Sequence, residues 1–300
     1  MFSSDMRQSV LFIVNPVSGK KGKKRRIIKL LQERGCKLQF TRFAGDAVEI
    51  ARNAVEDVVV AVGGDGTVNE VARGLTGTDK ILGIVPCGSG DGLARHLGIS
   101  GGVRSLWPTG RNLDRMLDII ENGRVRRLDW GTVNGNPFFS VCGTGLDAIV
   151  SERFAKAGSR GLMTYIREAV RTWRGFRPLK YTIETDGRTM ETEAVLITCG
   201  NSSQWGNGAR ITPLAKSDDG MLEVTVLKVF RTIEIPVLVW RLMTGSLHKS
   251  RRAVSLRGKE IRIYGSAPGP FHLDGDWMPA VRNLEIRIMP DRLRVLVPYR

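Results

Sequence analysis

Val58-Val59-Val60-Ala61-Val62, followed by Gly63-Gly64-Asp65-Gly66-Thr67, and Ile81-Leu82-Gly83-Ile84-Val85, followed by Pro86-Cys87-Gly88-Ser89-Gly90-Asp91-Gly92, decide the architecture. Each apolar run has strand length, and the first is almost entirely β-branched. Beyond the first loop Val68, Val71, Ala72 and Leu75 recur at helical spacing, and beyond the second Leu93, Ala94 and Leu97 resume a helix. Both glycine loops therefore sit where a strand gives way to a helix. Glycine there can take positive φ and lets main-chain N–H groups approach a phosphate, whose charge the helix N-terminus also favours. Two such loops in adjacent units, each with an acid inside, predict a phosphate cradle rather than a pair of tight turns.

The same alternation extends toward the N-terminus. Val10 to Val14 reads as a strand, Asn15-Pro16-Val17-Ser18-Gly19 as its loop, and Lys23 to Arg34 as a basic helix that Gly35 stops. Lys37 to Phe43 reads as a strand and Ala47 to Ala54 as a helix. Strands alternating with helices predict a parallel sheet covered on both faces, with ligands at the carboxyl ends of its strands. After a helix over Leu113 to Glu121 the pattern changes to strand and turn. Asn134-Gly135 and Asp186-Gly187 mark hairpins, flanked by Leu128 to Val133, Phe138 to Val141, Tyr181 to Thr185 and Val195 to Thr198. Helices are expected over Asp147 to Ala157, Leu162 to Arg174 and Ile233 to Leu242, and further strands over Leu222 to Val229, Ile261 to Tyr264, Leu284 to Ile288 and Arg292 to Val297.

Three hundred residues, 42% of them hydrophobic, suit two modest domains with real cores. With 46 Lys and Arg against 30 Asp and Glu, the net charge of +16 favours polyanionic partners: nucleic acid, nucleotide phosphates or an anionic membrane surface. Cys36, Cys87, Cys142 and Cys199 are widely spaced and form no C-x-x-C pair, which suits reduced thiols better than a disulfide framework. No apolar stretch approaches the ~20 residues of a spanning helix, and Met1 to Gln8 is polar, so a cytoplasmic, peripherally membrane-associated protein is expected. His96, His248 and His272 are scattered and pair with no cysteine, which argues against zinc.

Neither loop matches G-x-x-x-x-G-K-S/T or G-x-G-x-x-G. Gly63-Gly64-Asp65-Gly66-Thr67-x-Asn69-Glu70-Val71, Pro86-Cys87-Gly88-Ser89-Gly90 and Leu93-Ala94-Arg95 instead resemble the catalytic domain shared by diacylglycerol kinases, bacterial lipid kinases and sphingosine kinases. The resemblance implies an α/β N-terminal domain with a parallel sheet and glycine-rich nucleotide loops, formed by 1–127 and 291–300, plus a β-rich C-terminal lipid-binding domain at 128–290. It implies that Asn15, Ser18, Gly19, Thr41, Gly63, Gly64, Asp65, Gly66, Thr67, Gly88, Ser89 and Gly90 contact ATP, and that Asp65 also meets a metal. In His272-Leu273-Asp274-Gly275-Asp276, Asp274 stands where the family carries its general base, although Asp-Gly is also an ordinary turn. Asp129 matches a family aspartate of the metal network or the lipid head group; otherwise it reads as a surface charge. Lys216-Ser217-Asp218-Asp219-Gly220-Met221 resembles a structural magnesium loop, with Asp219 and the carbonyls of Lys216 and Met221 as hard oxygen ligands.

Together these features point to an ATP- and Mg2+-dependent lipid kinase that phosphorylates a primary hydroxyl of a membrane lipid, with diacylglycerol as the default acceptor. A sphingosine or ceramide kinase is the alternative, because Gly88-Ser89-Gly90 is closer to the sphingosine kinase form and Asp91-Gly92 replaces the bacterial Asn-Asp. NAD kinase shares Gly-Gly-Asp-Gly-Thr, and a non-catalytic basic module would suit the charge alone. Nucleic acid is not the expected partner, since aromatics are not interleaved with the basic runs. The oligomeric state stays open, a homodimer being one option. Phe230 to Arg252, apolar with basic flanks, suits either an interfacial segment on an anionic bilayer or a buried helix.

Overall fold

The computed structural model describes residues 9–17, 21–88, 90–99, 110–157, 162–206 and 208–299. Contacts divide the chain into one unit of residues 1–128 with 291–300 and a second of residues 129–290.

The first unit is built from β1 (Val10–Val14), α1 (Lys21–Glu33), β2 (Lys37–Phe40), α2 (Asp46–Asn53), β3 (Val58–Gly63), α3 (Asp65–Leu75), β4 (Ile81–Pro86), α4 (Gly92–His96) and α5 (Gly110–Asn122). β1 pairs in parallel with both β2 and β3, and β3 with β4, so the strand order is 2-1-3-4. Beyond β4 the sheet is extended by the chain's last strand, where Arg294 and Val295 lie parallel to Ile81 and Leu82. The order reverses between β1 and β3, and in such sheets ligands bind outside the carboxyl ends at that point. Val59 to Val62 and Val10 to Val14 are fully buried, as strands covered on both faces must be. Gly74 of α3 lets that helix press on α2, since a Cβ there would meet the Val48 carbonyl oxygen at 2.5 Å.

The second unit carries β5 (Arg124–Val133), which enters it at Asp129, then β6 (Asn136–Phe138), β7 (Val141–Gly145), α6 (Leu146–Lys156), α7 (Leu162–Trp173), β8 (Leu179–Thr185), β9 (Arg188–Gly200) and β10 (Leu222–Lys228). A 3-10 turn (Thr232–Glu234) leads into α8 (Ile235–Thr244), followed by β11 (Ala253–Gly258), β12 (Glu260–Leu273) and β13 (Asp276–Val297), the last leaving this unit at Pro290. Its strand pairings are antiparallel, in the order β11-β10-β9-β7-β12-β13, with β8 pairing β9 and β12. Asn134-Gly135 and Asp186-Gly187 turn their hairpins with positive φ at both positions, the geometry of a type I′ turn. Phe138, Tyr181, Ile183, Ile197, Val224 and Ile263 belong to one continuous core.

One sequence expectation is corrected here, and one strand that the sequence did not mark is added. Phe138 to Val141 is not one strand: β6 ends at Phe138 and β7 begins at Val141, because the amides of the residues between are turned toward a carboxylate described below. Ala253–Gly258, which carries no strong alternation, is a strand because β10 pairs with it along its whole length.

One buried acid is costly to this core. Glu223 on β10 is almost inaccessible, and burial pushes its carboxyl up to about 7 despite the Leu214 N–H at 2.6 Å and the nearby Arg257 charge. A folded pKa raised above the unfolded value means that stability is fullest below about 4.5 and is lost as pH rises through about 7. Glu223→Gln should therefore raise the unfolding free energy by about 1–3 kcal/mol at pH 8 and by little at pH 5. Denaturant melts at the two pH values check this, and an equal change at both would contradict it.

Candidate functional sites in the two units

In the first unit every described residue expected to hold the nucleotide lies at the carboxyl end of a parallel strand or in the loop or first helical turn that follows it. Asn15 follows β1 and donates its N–H to the Val62 carbonyl of β3 at 3.3 Å. Thr41 follows β2, is buried, and donates its N–H to the Val14 carbonyl. Lys24 of the basic helix is buried too, its ammonium on the Pro16 carbonyl. Ser18, Gly19 and Ser89 lie outside the described residues.

The two glycine loops are in backbone contact. A Cβ on Gly88 would stand 2.9 Å from the Gly64 Cα and 2.7 Å from Asp91 Oδ1, so the loops approach this closely because residue 88 is glycine. Gly63 is closed to a side chain by Thr67, whereas the space beside Gly66 is open. No side chain caps the N-terminus of α3 at Gly64, and the buried Thr67 hydroxyl has no hydrogen-bond partner in the structure. Open backbone, an uncapped helix N-terminus and an unsatisfied hydroxyl fit an anionic phosphate.

Asp65 fastens the loops together. Its Oδ2 accepts the Asp91 N–H at 2.9 Å and its Oδ1 the Gly92 N–H at 2.7 Å. Burial raises its pKa against the pull of those donors and of Arg95. Each carboxylate oxygen accepts one main-chain amide and keeps a further lone pair, so this clamp stands beside the expected metal contact rather than in its place. Asp91 closes the second loop on itself, with left-handed backbone and its Oδ1 accepting the Gly88 N–H at 3.0 Å. Gly90 lies in this loop, and its carbonyl accepts from Arg95 Nε at 2.8 Å.

In the second unit Asp274 and Gly275, both at positive φ, turn β12 into β13. The Asp274 carboxylate then reaches the break between β6 and β7. Oδ2 accepts the Phe139 N–H at 2.8 Å, and Oδ1 accepts those of Ser140 and Val141 at 2.7 and 2.9 Å. Asp129 is only 3% exposed, which removes the surface-charge reading. Its Oδ2 accepts the Gly220 N–H at 2.7 Å, its N–H donates to the Ser217 carbonyl at 2.7 Å, and its carbonyl accepts from Asn201 Nδ2 at 2.6 Å. Asn201 Nδ2 also donates to the Phe139 carbonyl, and the Asn201 N–H to that of Ser140, so Asp129 and Asp274 belong to one network. Lys216, Asp219 and Met221 share the turn that Asp129 holds. Asp219 Oδ1 accepts the Met221 N–H at 3.2 Å, while Oδ2 is paired with Arg257. Among the described residues no group of three His, Cys, Asp or Glu could hold a metal, but one carboxylate and two carbonyls are suitable donors for a hard cation.

Sequence reasoning missed the support beneath Asp274. His272 Nε2 meets Asp147 Oδ2 at 3.0 Å with both side chains buried, Thr198 Oγ1 donates to the same oxygen at 3.1 Å, and the Gly275 N–H points to His272 Nδ1 at 3.4 Å. Gly143 makes room for the pair, since a Cβ there would lie 2.7 Å from Asp147 Oδ2. Burial and then the Asp147 charge raise the pKa of the Tyr165 hydroxyl. The placement of His272 two residues before Asp274 was the one signal available in the sequence. Asn201 carried none.

Among solved structures the chain resembles a diacylglycerol kinase from Bacillus anthracis, with a TM-score of 0.70 at 20% identity over 96% of each chain. It also resembles an NAD kinase from Archaeoglobus fulgidus solved in complex with ATP, with a TM-score of 0.55 at 11% identity over 96% of this chain and 93% of that one. These likenesses define a two-domain fold of the diacylglycerol kinase and NAD kinase type. The diacylglycerol kinase catalytic domain model matches residues 9–133, and the model of the YegS C-terminal NAD kinase beta sandwich-like domain matches residues 140–297. Diacylglycerol kinases from Bacillus subtilis (27% identical over 88% of each chain) and Mycobacterium tuberculosis (29% identical over 81% of this chain and 77% of that one) are similar along most of the sequence. The chain belongs to the diacylglycerol kinase family, with the YegS-type C-terminal domain, and is a lipid kinase.

Proposed function

We propose that the protein transfers the γ-phosphate of ATP, brought with Mg2+, to the primary hydroxyl of a membrane diacylglycerol. The observation that carries the nucleotide half is the pair of glycine loops in backbone contact, tied by Asp65 at the carboxyl ends of β3 and β4. Phosphoryl transfer needs mostly positioning and charge stabilisation, and uncapped helical N–H groups and open loop backbone supply both to phosphate oxygens. Asp65 serves this site by holding the loops.

Asp274 is the general base in this reading. It takes the proton of the acceptor hydroxyl as that oxygen forms its bond to the γ-phosphorus, and the bond to ADP breaks. Three amides fix its carboxylate, and His272, braced by Asp147, steadies the turn that presents it. Asp129 keeps the Ser217–Gly220 turn seated against β5. Diacylglycerol as the acceptor is supported by the names of the Bacillus subtilis and Mycobacterium tuberculosis relatives. Mg2+ in the Lys216–Met221 turn would be held by Asp219 and the carbonyls of Lys216 and Met221, with Asp219 exchanging Arg257 for the ion.

With labelled ATP and Mg2+, purified protein should label diacylglycerol in a panel that also holds a sphingoid base, ceramide and NAD. Asp274→Asn should lower that turnover at least ~100-fold, because the base is lost and a carboxamide NH2 must face one of the three amides. Turnover within threefold of wild type would remove Asp274 as the base, and label in NAD alone would overturn the lipid acceptor. Separately, Mg2+ should raise the melting temperature of the wild-type protein and not that of Asp219→Ala, since only the folded turn assembles the ligands. Equal responses would make this turn purely structural.

A further inference from the structure

Helix α7 carries an apolar stripe on its exposed face. It buries Thr164, Glu168 and Thr172, which are polar and four residues apart, and exposes Met163, Ile166 and Val170 along another face. Met163 is 76% exposed. An amphipathic helix on a water-soluble surface does the reverse, because its apolar stripe is what it has to bury. Helix α8 and the turn before it repeat the anomaly. Only Leu238 of α8 is buried, while Ile233 is 83% and Trp240 61% exposed, with Val237, Val239 and Met243 about half exposed. The buried-helix reading of this segment is therefore wrong.

The two exposed faces are joined. Trp173 at the end of α7 stacks on Phe230, just before α8, at 4.7 Å between ring centroids and 8° between planes, and its Nε1 donates to Thr232 Oγ1 at 3.3 Å. The charge around them is one-sided. Arg171, Arg174, Arg231, Lys249 and Arg251 are exposed on or beside these helices. The acids there are accounted for: Glu168 is buried beside Arg167, and Glu234 is gripped by Arg252 through two bonds of 2.9 and 3.0 Å.

We infer that the outward faces of α7 and α8 form one docking surface for an anionic lipid bilayer. This rests on the lipid-kinase reading, whose acceptor resides in a bilayer, and adds the place at which the protein meets it. Apolar side chains would enter the acyl boundary while the arginines and lysines meet anionic head groups. A second copy of the chain suits the surface less well, because a two-fold contact would set the same basic rim against itself.

The test uses the full chain and phosphatidylcholine vesicles with and without phosphatidylglycerol. Wild type should cosediment with the anionic vesicles and only weakly with neutral ones. Two triple variants, Met163→Ser/Ile166→Ser/Val170→Ser and Ile233→Ser/Val237→Ser/Trp240→Ser, remove exposed apolar groups and should keep the wild-type melting temperature. Each should weaken anionic-vesicle binding about tenfold or more. Arg171→Glu/Arg231→Glu/Arg251→Glu should abolish the preference for phosphatidylglycerol. Turnover on a short-chain, water-soluble diacylglycerol should stay within twofold of wild type in all three. Vesicle binding unchanged in both apolar variants overturns the proposal, as does a wild-type dimer that these substitutions dissociate while vesicle binding persists. If wild type phosphorylates no lipid yet binds anionic vesicles through these residues, the lipid-kinase reading fails and the docking surface stands.

Discussion

The Asp65 carboxylate, which accepts the N–H groups of Asp91 and Gly92, is the interaction on which the first unit's site depends. Without it, the loop after β4 keeps its start on β3 through the Cys87 N–H on the Gly63 carbonyl at 2.7 Å, but its far side at Asp91 and Gly92 loses the tie to α3. With it, the second loop is anchored to the first helical residue of α3, and Gly64 and Gly88 are held in backbone contact. Leaving those amides without a partner costs about 1–3 kcal/mol each when they are buried. The clamp thus converts a pair of flexible turns into one preformed surface of N–H groups, and a preformed surface loses less entropy when an anion arrives.

The second unit uses the same device on a larger scale. A carboxylate from a hairpin turn satisfies three amides of a broken strand, so that the hairpin and the break define each other. Behind it, Asp147, His272 and Thr198 form a buried polar group that is affordable only because its members hydrogen-bond one another. In both units a carboxylate on loop amides fixes the segment proposed to carry the chemistry. A rigid scaffold presenting such loops is the usual way for a fold to carry function.

Local pattern made much of this legible. Val10 to Val14 and Val58 to Val62 are contiguous apolar runs that only a doubly covered strand explains, and Asn134-Gly135 and Asp186-Gly187 name their own turns. Asp274 was visible as a turn residue, and the resemblance is what proposes it as the base. The clamp from Asp65 to Asp91 spans 26 residues and the pair of His272 with Asp147 spans 125, and no periodicity encodes either. The helices at Leu162–Trp173 and Ile235–Thr244 carry a further lesson. Apolar spacing told that they were helices, but the face that turns inward is a property of what they pack against, and here the apolar face turns out. Asp219 shows the same boundary from another side, since its neighbour Arg257 comes from a strand that the sequence pattern did not mark.

We propose that Asp65 serves ATP binding by holding the two loops. ATP affinity measured by calorimetry for wild type and Asp65→Asn, once with Mg2+ and once with a chelator, tests it directly. A carboxamide accepts from only one of the two amides and sets an NH2 against the other, a defect that is the same whether or not a metal is present. The affinity should fall about tenfold, by the same factor in both conditions. A loss seen only with Mg2+, or no loss at all, would show that Asp65 does not act through the loops.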